Sequence, residues 1–489
     1  MLLEALSGEW SLGDNHLITA SAIEKFQSVV GADNFLLDEE SLFRYSLDAY
    51  RVWSSQGRFS TNKKVSAVVK PLDTQEIVKV VNIANQEKIP LIPFGSGTGV
   101  MGAINPVPGS VCVDLKRMKS ILDIDPVSLT VTAQSGVILA QLNESLSKRD
   151  LMLGHDPYSL PIATVGGAIS TNGVGYRAAK YGSMGDQVLG LQVVLPNGEI
   201  LETRSVEKTS VGPGFQYLFI GTEGVFGFIT EATLKVFRIP ESRVFKTYSF
   251  DNFENGFNAM NEMFSIGLKP ALSDLTEECS DVNNSNQTKG QYSTNLFLVF
   301  EGYCEEVKAQ LSRVPDICSQ YGGADVGPSM SENYWDKRHD SAYRFKDNYI
   351  EKSVDDWPIA NRNRVVAYPH VALPASKVLE YRRLAEQIVL EFQVEITEYS
   401  CWTNPGLFSL MLVKTVVDWN KDVADLDIVL DKLLTLAQDL GGTMEYVHGV
   451  GSKLSHLVPR ELGYGLEIMR KIKLSIDPEN IMNPNNLGI

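Results

Sequence analysis

Residues 93–103 read Pro-Phe-Gly-Ser-Gly-Thr-Gly-Val-Met-Gly-Ala, so Gly95, Gly97, Gly99 and Gly102 fall within eight positions. Glycines at that density let a backbone come close to a ligand. Successive main-chain N–H groups in such a turn form a concave nest for an anion, typically a phosphate. Two further small-residue segments follow. One runs from Gly154-His155-Asp156-Pro157 through Tyr158, Ser159, Leu160, Ala163, Thr164, Gly166 and Gly167 to Thr171-Asn172-Gly173-Val174. The other is Gly221-Thr222-Glu223-Gly224-Val225-Phe226-Gly227-Phe228-Ile229-Thr230. One phosphate needs one such turn, and three in this order point to an extended ligand lying along several loops. The alternative is that the glycines only make turns in a β-rich domain. For proton chemistry near neutral pH the chain offers six histidines, His16, His155, His339, His370, His448 and His456. Its five cysteines are scattered without a C-x-x-C pair. That argues against an iron–sulfur cluster, a zinc knuckle or a disulfide framework, and a reducing compartment fits best.

The elements around the first glycine loop decide between its possible clients. Val65-Ser-Ala-Val-Val-Lys-Pro reads as a strand. Asp73 with Glu76 marks a helix start, and Ile77, Val80, Val81 and Ala84 give that helix one apolar face. Ile89–Pro93 is a short apolar strand running straight into the glycines. A nicotinamide-type fingerprint needs a helix opening from the glycines, which Gly102, Asn105, Pro106, Pro108 and Gly109 forbid. A nucleoside-triphosphate loop needs Lys-Ser/Thr after the last glycine, and Val100-Met101 is not that. The chain returns instead to a strand, Ser110–Leu115, so the motif is a β–loop–β nest. Further on, Ser128–Ala133 reads as a strand, and Leu139, Leu142 and Leu146 mark an amphipathic helix. Pro196-Asn197-Gly198 makes a hairpin between Val188–Leu195 and Glu199–Thr203. Residues 1–60 read as an N-terminal extension with a helical stretch at Ala20–Val30. Glu277–Thr294, polar and asparagine-rich, reads as a mobile loop.

At 489 residues two or three domains are expected. A net charge of −16 with no basic run argues against nucleic acid and acidic membranes as partners. The N-terminus carries acids and no basic n-region, unlike a signal peptide, and no apolar run approaches ~20 residues. The expectation is a soluble cytoplasmic protein, at most peripheral to a membrane.

In the order and spacing of these segments the sequence resembles the FAD-linked oxidases of the vanillyl-alcohol oxidase and p-cresol methylhydroxylase (PCMH) type, over about residues 60–240 and 440–489. Gly154-His155-Asp156-Pro157, Thr209-Ser210-Val211-Gly212-Pro213 and the tail from Gly463 to Leu487 are nearest the alkyldihydroxyacetonephosphate synthase branch. Gly-Thr-Glu-Gly-Val-Phe-Gly at 221–227 and His-Gly-Val-Gly at 448–451 are shared with the glycolate oxidase and D-lactate dehydrogenase branch. The resemblance implies an α+β fold: a PCMH-type FAD-binding domain of two α/β subdomains, residues 61–240, and an α+β cap, residues 241–438. Residues 439–489 would return to the FAD domain and active site. It further implies that Pro93, Phe94, Gly95, Ser96, Gly97, Thr98 and Gly99 wrap the FAD pyrophosphate. Tyr158, Ser159, Leu160, Ala163, Thr164, Gly166, Gly167, Thr171, Asn172, Gly173 and Val174 would line the ribityl and isoalloxazine portions. Glu223, Gly224, Gly227 and Ile229 would supply the flavin and adenine side. Some relatives tether FAD through a histidine in the first glycine loop; residues 93–103 hold none, so non-covalent FAD is expected.

By the same resemblance His448 points towards flavin and substrate as general base, its bland alternative being a buttress to a Gly-x-Gly turn. Tyr334-Trp335-Asp336-Lys337-Arg338 resembles the family's Trp-x-x-Arg element, in which Arg338 would clamp a substrate carboxylate or phosphate, with Arg344 a second candidate. His339 and His370 are lesser candidates to face the site. Two departures from the family matter. The stretch Tyr399–Ser409 carries neither the histidines nor the acid of the 2-hydroxy-acid branch's metal site, and Val447 replaces its Glu, so no catalytic metal is expected. Of the ether-lipid branch's triple histidine only His448 remains, and no tyrosine falls within 407–410, leaving Tyr399 or Tyr446 as substitutes. The expected activity is oxidation of a CH–OH carbon in a small, anionic substrate such as a 2-hydroxy acid, with hydride passing to flavin N5. O2, a quinone or an electron-carrier protein would reoxidise the flavin, and a homodimer is allowed. The alternatives are an alkyldihydroxyacetonephosphate synthase-like transferase and a flavoprotein subunit of an electron-transfer complex.

Overall fold

The glycine loop begins where a strand ends. In the computed structural model, which describes residues 18–50, 63–280, 291–358 and 363–489, Leu91–Phe94 lies parallel to Val111–Asp114 in the register Leu91↔Val111 to Phe94↔Asp114. A parallel pair needs a long crossover, and residues 95–110 make it without a helix. Ala67–Val69 and Phe35–Leu36 complete this four-stranded sheet. Helix Thr74–Glu87 starts at Asp73, whose carboxylate accepts the Glu76 N–H at 2.9 Å. Its apolar stripe of Ile77, Val80, Val81 and Ala84 is fully buried in one cluster with Ala22, Phe26 and Val30 of helix Ala20–Val30. Residues 18–50 are thus built into this layer rather than extending from it, because Phe35 pairs with Val69 and Phe26 fills its core.

A second, antiparallel sheet has the order Ile121–Asp125, Thr130–Gln134, Phe228–Lys235, Val188–Val194, Ile200–Glu202. Leu139, Leu142 and Leu146 of helix Leu139–Ser147 pack on it, and Gly198 turns the last hairpin at φ +82°.

The largest layer is an antiparallel sheet of eight strands drawn from Ser242–Phe250 to Leu407–Thr415. One face is apolar and covered by helices Phe253–Ser265, Val378–Glu391 and Trp419–Asp439. Strand period two turns the alternate residues to the opposite face, towards the first two layers. Glu277–Ser280 and Gln291–Thr294 are strand rather than loop: Leu272–Ser280 and Gln291–Gly302 pair from Leu272↔Val299 to Ser280↔Gln291. Their polar residues misled because Glu277 is buried and bonded to the Phe253 amide and the Thr294 hydroxyl. The rest of that segment, residues 281–290, lies outside the described residues.

After Trp419–Asp439 the chain returns to the first layers. The Leu91 amide donates to the Ile481 carbonyl at 2.7 Å, and Asn483 Nδ2 to the Glu223 carbonyl at 2.7 Å. No helix among the described residues is long and apolar enough to cross a membrane.

Candidate active site

The three glycine segments and the cap sheet enclose one cavity of about 1130 Å³, at the upper end of the ~300–1,000 Å³ usual for ligand sites. The carbonyls of Gly97, Gly99 and Thr98 accept from the Ala49 and Tyr50 amides and the Tyr158 hydroxyl. That leaves the amides of Ser96, Gly97, Thr98 and Gly99 with no acceptor among the described residues, on the cavity wall. Helix Val165–Thr171 begins beside them. Thr164 caps it by accepting the Gly167 N–H at 3.2 Å, and a Cβ on Gly95 would stand 2.5 Å from the same Thr164 Oγ1. A Cβ on Gly166 would stand 2.7 Å from Ser135, and one on Gly224, at φ +77°, 2.6 Å from Pro93. The loops can sit this close only as glycine. The buried hydroxyls of Ser96 and Ser135, both on the cavity wall, lack partners among the described residues. Free amides, orphaned hydroxyls and a close-packed glycine cradle fit a long, phosphate-bearing dinucleotide such as FAD.

Glu223, itself at φ +52°, ties the third segment to the returning chain. Its Oε1 accepts the Val450 and Gly451 amides, both at 2.8 Å, while buried Oε2 has no partner among the described residues. Burial raises its pKa to about 7, more than those two bonds lower it.

The bonded turn at 448–451 sets His448 on the cavity wall. Glu445 accepts the amides of Tyr446, Val447 and His448 at 3.0, 2.7 and 3.0 Å, fixing the approach to that turn. The His448 Nδ1 is buried 3.9 Å from Glu445 Oε1, too far for a hydrogen bond, and Nε2 bonds to no group among the described residues. Burial, then the Lys453 charge, pull the imidazole down to about 3, so it is neutral throughout the physiological range. His370 meets it edge to face at 4.8 Å between ring centroids. Its Nδ1 is 2.6 Å from the Ser409 hydroxyl, which in turn is 3.1 Å from the Tyr446 hydroxyl. Burial, and then the neighbouring His448, hold His370 well below the ordinary histidine range. Lys453 lines the same wall, its own pKa lowered by burial.

Arg338 also reaches the cavity, but its guanidinium is occupied. Nε donates to Asp156 Oδ2 at 2.9 Å, a second nitrogen donates to the Trp335 carbonyl, and the group stacks on the Trp335 ring at 4.1 Å. His339 Nε2 takes the other Asp156 oxygen at 2.8 Å. Burial opposes the Asp156 charge, but the His339 bond and the Arg338 charge outweigh it and hold the carboxyl at about 2. Arg338 and His339 therefore fasten the cap to the second glycine segment rather than standing as an open fork. Arg344 is exposed on the cavity wall with no partner among the described residues.

Of the residues expected around the cofactor, all but two line this cavity. Leu160 points into the second layer's core. Asn172 is the left-handed cap of helix Val165–Thr171, its Oδ1 accepting the Gly185 amide at 2.9 Å. Tyr399 lies on the cap's helix-covered face, bonded to Glu386, away from the cavity. Sequence reasoning missed Lys453 and the polar row of the cap sheet, Asp274, Thr276, Glu278, Glu398, Ser400 and Trp402, which all line the cavity. The alternation Asp-Leu-Thr-Glu-Glu at 274–278 was the available signal. No group of three His, Cys, Asp or Glu side chains suited to a metal ion occurs among the described residues.

Comparison with known proteins agrees with this geometry. Residues 65–204 match the FAD binding domain family, and residues 239–487, half of the chain, match the C-terminal domain of FAD linked oxidases. The chain is 27% identical to glycolate oxidase subunit GlcD of Bacillus subtilis over 96% of its length and 97% of that protein's. It is 29% identical to a probable mitochondrial D-lactate dehydrogenase of Danio rerio, covering 86% and 84%. Among solved structures, alkyldihydroxyacetonephosphate synthase superposes with a TM-score of 0.76 at 20% identity, over 97% of this chain and 86% of that one. The chain belongs to the FAD-linked oxidases, and it is an oxidoreductase whose cofactor is FAD.

Proposed function

We propose that this enzyme oxidises the CH–OH carbon of a small anionic substrate of the 2-hydroxy-acid type, with FAD held non-covalently along the three glycine segments. The observation that carries the reading is the neutral His448, open at Nε2 on the wall of the cavity that the glycine segments also line. FAD held there would supply the hydride acceptor and the route for the electron pair to an external acceptor. His448 Nε2 accepts the hydroxyl proton as the carbon becomes a carbonyl. Its Nδ1 faces the Glu445 carboxyl across 3.9 Å, a neighbour that favours the imidazolium when ionised. Lys453, whose charge reaches His448, is the cation placed to hold the carboxylate, with Arg344 a second cation on the cavity wall; Arg338 cannot share the task while Asp156 occupies it. A substrate anion beside Lys453 offsets the charge that depresses His448, and so strengthens the base only in the loaded site. The likeness to glycolate oxidase and D-lactate dehydrogenase supports the substrate class.

The test is anaerobic mixing of the holoprotein with glycolate and D-lactate, following loss of oxidised-flavin absorbance. The expected result is bleaching, slowed roughly 100-fold or more in His448→Asn. No bleaching with any 2-hydroxy acid would overturn the reading, as would an undiminished rate in the variant.

A further inference from the structure

The cap sheet offers the cavity an unusual surface. Asp274, Thr276 and Glu278 alternate along one strand, and in the neighbouring strand Trp402, Ser400 and Glu398 stand directly opposite them in that order. All six line the cavity. Nothing assigned so far uses them, and an anion-binding site gains nothing from three carboxyl groups on its far wall.

We propose that the substrate carries several hydroxyl groups beyond the carbinol that is oxidised, and that this row of side chains reads them. The proposal rests on the CH–OH oxidation argued above and names its substrate class: a polyhydroxylated acid of about four to six carbons. Asp274 is 7% exposed, with Oδ1 accepting from Thr276 at 3.1 Å and Oδ2 from Tyr334 at 2.7 Å. Tyr368 donates to Glu398 in the same manner. An ionised carboxylate accepts about four hydrogen bonds, so both acids keep acceptor sites for the cavity. Glu278 is exposed, bonds to nothing among the described residues and sits directly across from Glu398. Like charges in that position are destabilising unless donors come between them, and vicinal hydroxyls supply such donors.

The chemistry of the row excludes the other candidates. A fatty chain would strip water from three carboxyl groups and return no hydrogen bond. A second anion would be repelled. An ammonium group would bring donors alone and nothing to accept from the row, in which Asp274 is partly protonated near neutrality. A hydroxylated chain matches that mixture, and the Trp402 ring offers its C–H face an apolar platform. Burial raises Asp274 to about 7, so that carboxyl is only partly charged near neutrality, which favours hydroxyls over a cation, and burial raises Glu398 as well.

The experiment is anaerobic reduction of the FAD-loaded enzyme by three acids of similar length: gluconate, 2-hydroxyhexanoate and 4-amino-2-hydroxybutyrate. The rate constant over the apparent Kd is expected to be at least roughly 10-fold higher for gluconate than for 2-hydroxyhexanoate, the loss expected when buried polar groups go unpaired. In Glu398→Gln and Ser400→Ala that ratio should fall towards one, a change that general damage to the site would not produce. A preference for 2-hydroxyhexanoate or for the amino acid overturns the proposal and leaves the oxidation itself standing. If no acid bleaches the flavin, the oxidation reading fails, and binding seen as perturbation of the flavin spectrum decides the row. A shift with gluconate and none with 2-hydroxyhexanoate upholds it, and equal or absent shifts refute it.

Discussion

Gly95 and Thr164 offer a direct measurement of how tightly the cofactor cradle is drawn. A methyl group on Gly95 would stand 2.5 Å from Thr164 Oγ1 but 3.7 Å from Thr164 Cβ. Ordinary contact begins at 3.4 Å, so in Gly95→Ala the two must part by roughly 0.9 Å or Thr164 must rotate. Rotation gives up the N-cap bond to Gly167, worth about 1 kcal/mol. Moving the loop costs about 1–3 kcal/mol, as overpacking does elsewhere. Either way the amide nest and the helix start no longer face the same ligand, and we expect FAD affinity to fall roughly 30- to 100-fold, about 2–3 kcal/mol. Thr164→Ala alone loses the cap, about 1 kcal/mol, or roughly fivefold. The double variant removes the atom that clashes and keeps the comfortable 3.7 Å contact, so it should bind FAD like Thr164→Ala alone. Quenching of free FAD fluorescence by the apoprotein measures all four constants. Rescue by the second substitution, a coupling of about 2 kcal/mol, is the expected signature. Simple additivity would show that the glycine serves something other than this close approach.

Two buried carboxylates give further expectations of opposite sign. Asp156, held at about 2, contributes stability that is fully present above the ordinary aspartate range and is lost only as pH falls through 2. Asp156→Asn leaves the Arg338 charge buried and half-paired, a cost of about 3 kcal/mol, to be seen as faster amide deuterium exchange in residues 329–345 with the rest of the cap unchanged. Glu223, raised to about 7 from 4.5, binds its proton more tightly folded than unfolded, so stability is lost as pH rises from 4.5 to 7, on the order of 3 kcal/mol. Glu223→Gln should therefore gain in melting temperature over the parent between pH 5 and pH 8, and a constant difference would refute the assignment.

The fold was legible where one chain segment decides its own structure. Asp73 and Glu76 announced a helix start, Leu139, Leu142 and Leu146 its partner's buried stripe, and Pro196-Asn197-Gly198 a hairpin. The cofactor loops were legible for the same reason, since close approach needs glycine whatever lies opposite. What could not be read depends on partners far along the chain. Arg338 looked like an open fork until Asp156, 182 residues away in sequence, took it. Asn172 looked like a wall residue because it lies between two that are, but its helix cap turns the side chain to Gly185. Glu277 looked like part of a loop because a buried acid with two donors and a guanidinium partner has the same composition as an exposed one.

The positions of these charges also bear on how a substrate would lie. Lys453 and Arg344 line the cavity along with His448, and Asp274, Glu278 and Glu398 face it from the cap sheet. Charges that line one cavity set up a field across it. A molecule with an acid at one end and hydroxyls along the rest has one favourable orientation in that field, and reversing it would set like charges together. On the proposed function, an acid held at Lys453 would bring the carbon beside it towards His448, whose imidazole feels the Lys453 charge. Arg338 contributes to this by its absence from the substrate: spent on Asp156, it adds no cation to the cap side and holds the acidic sheet face over the glycine segments.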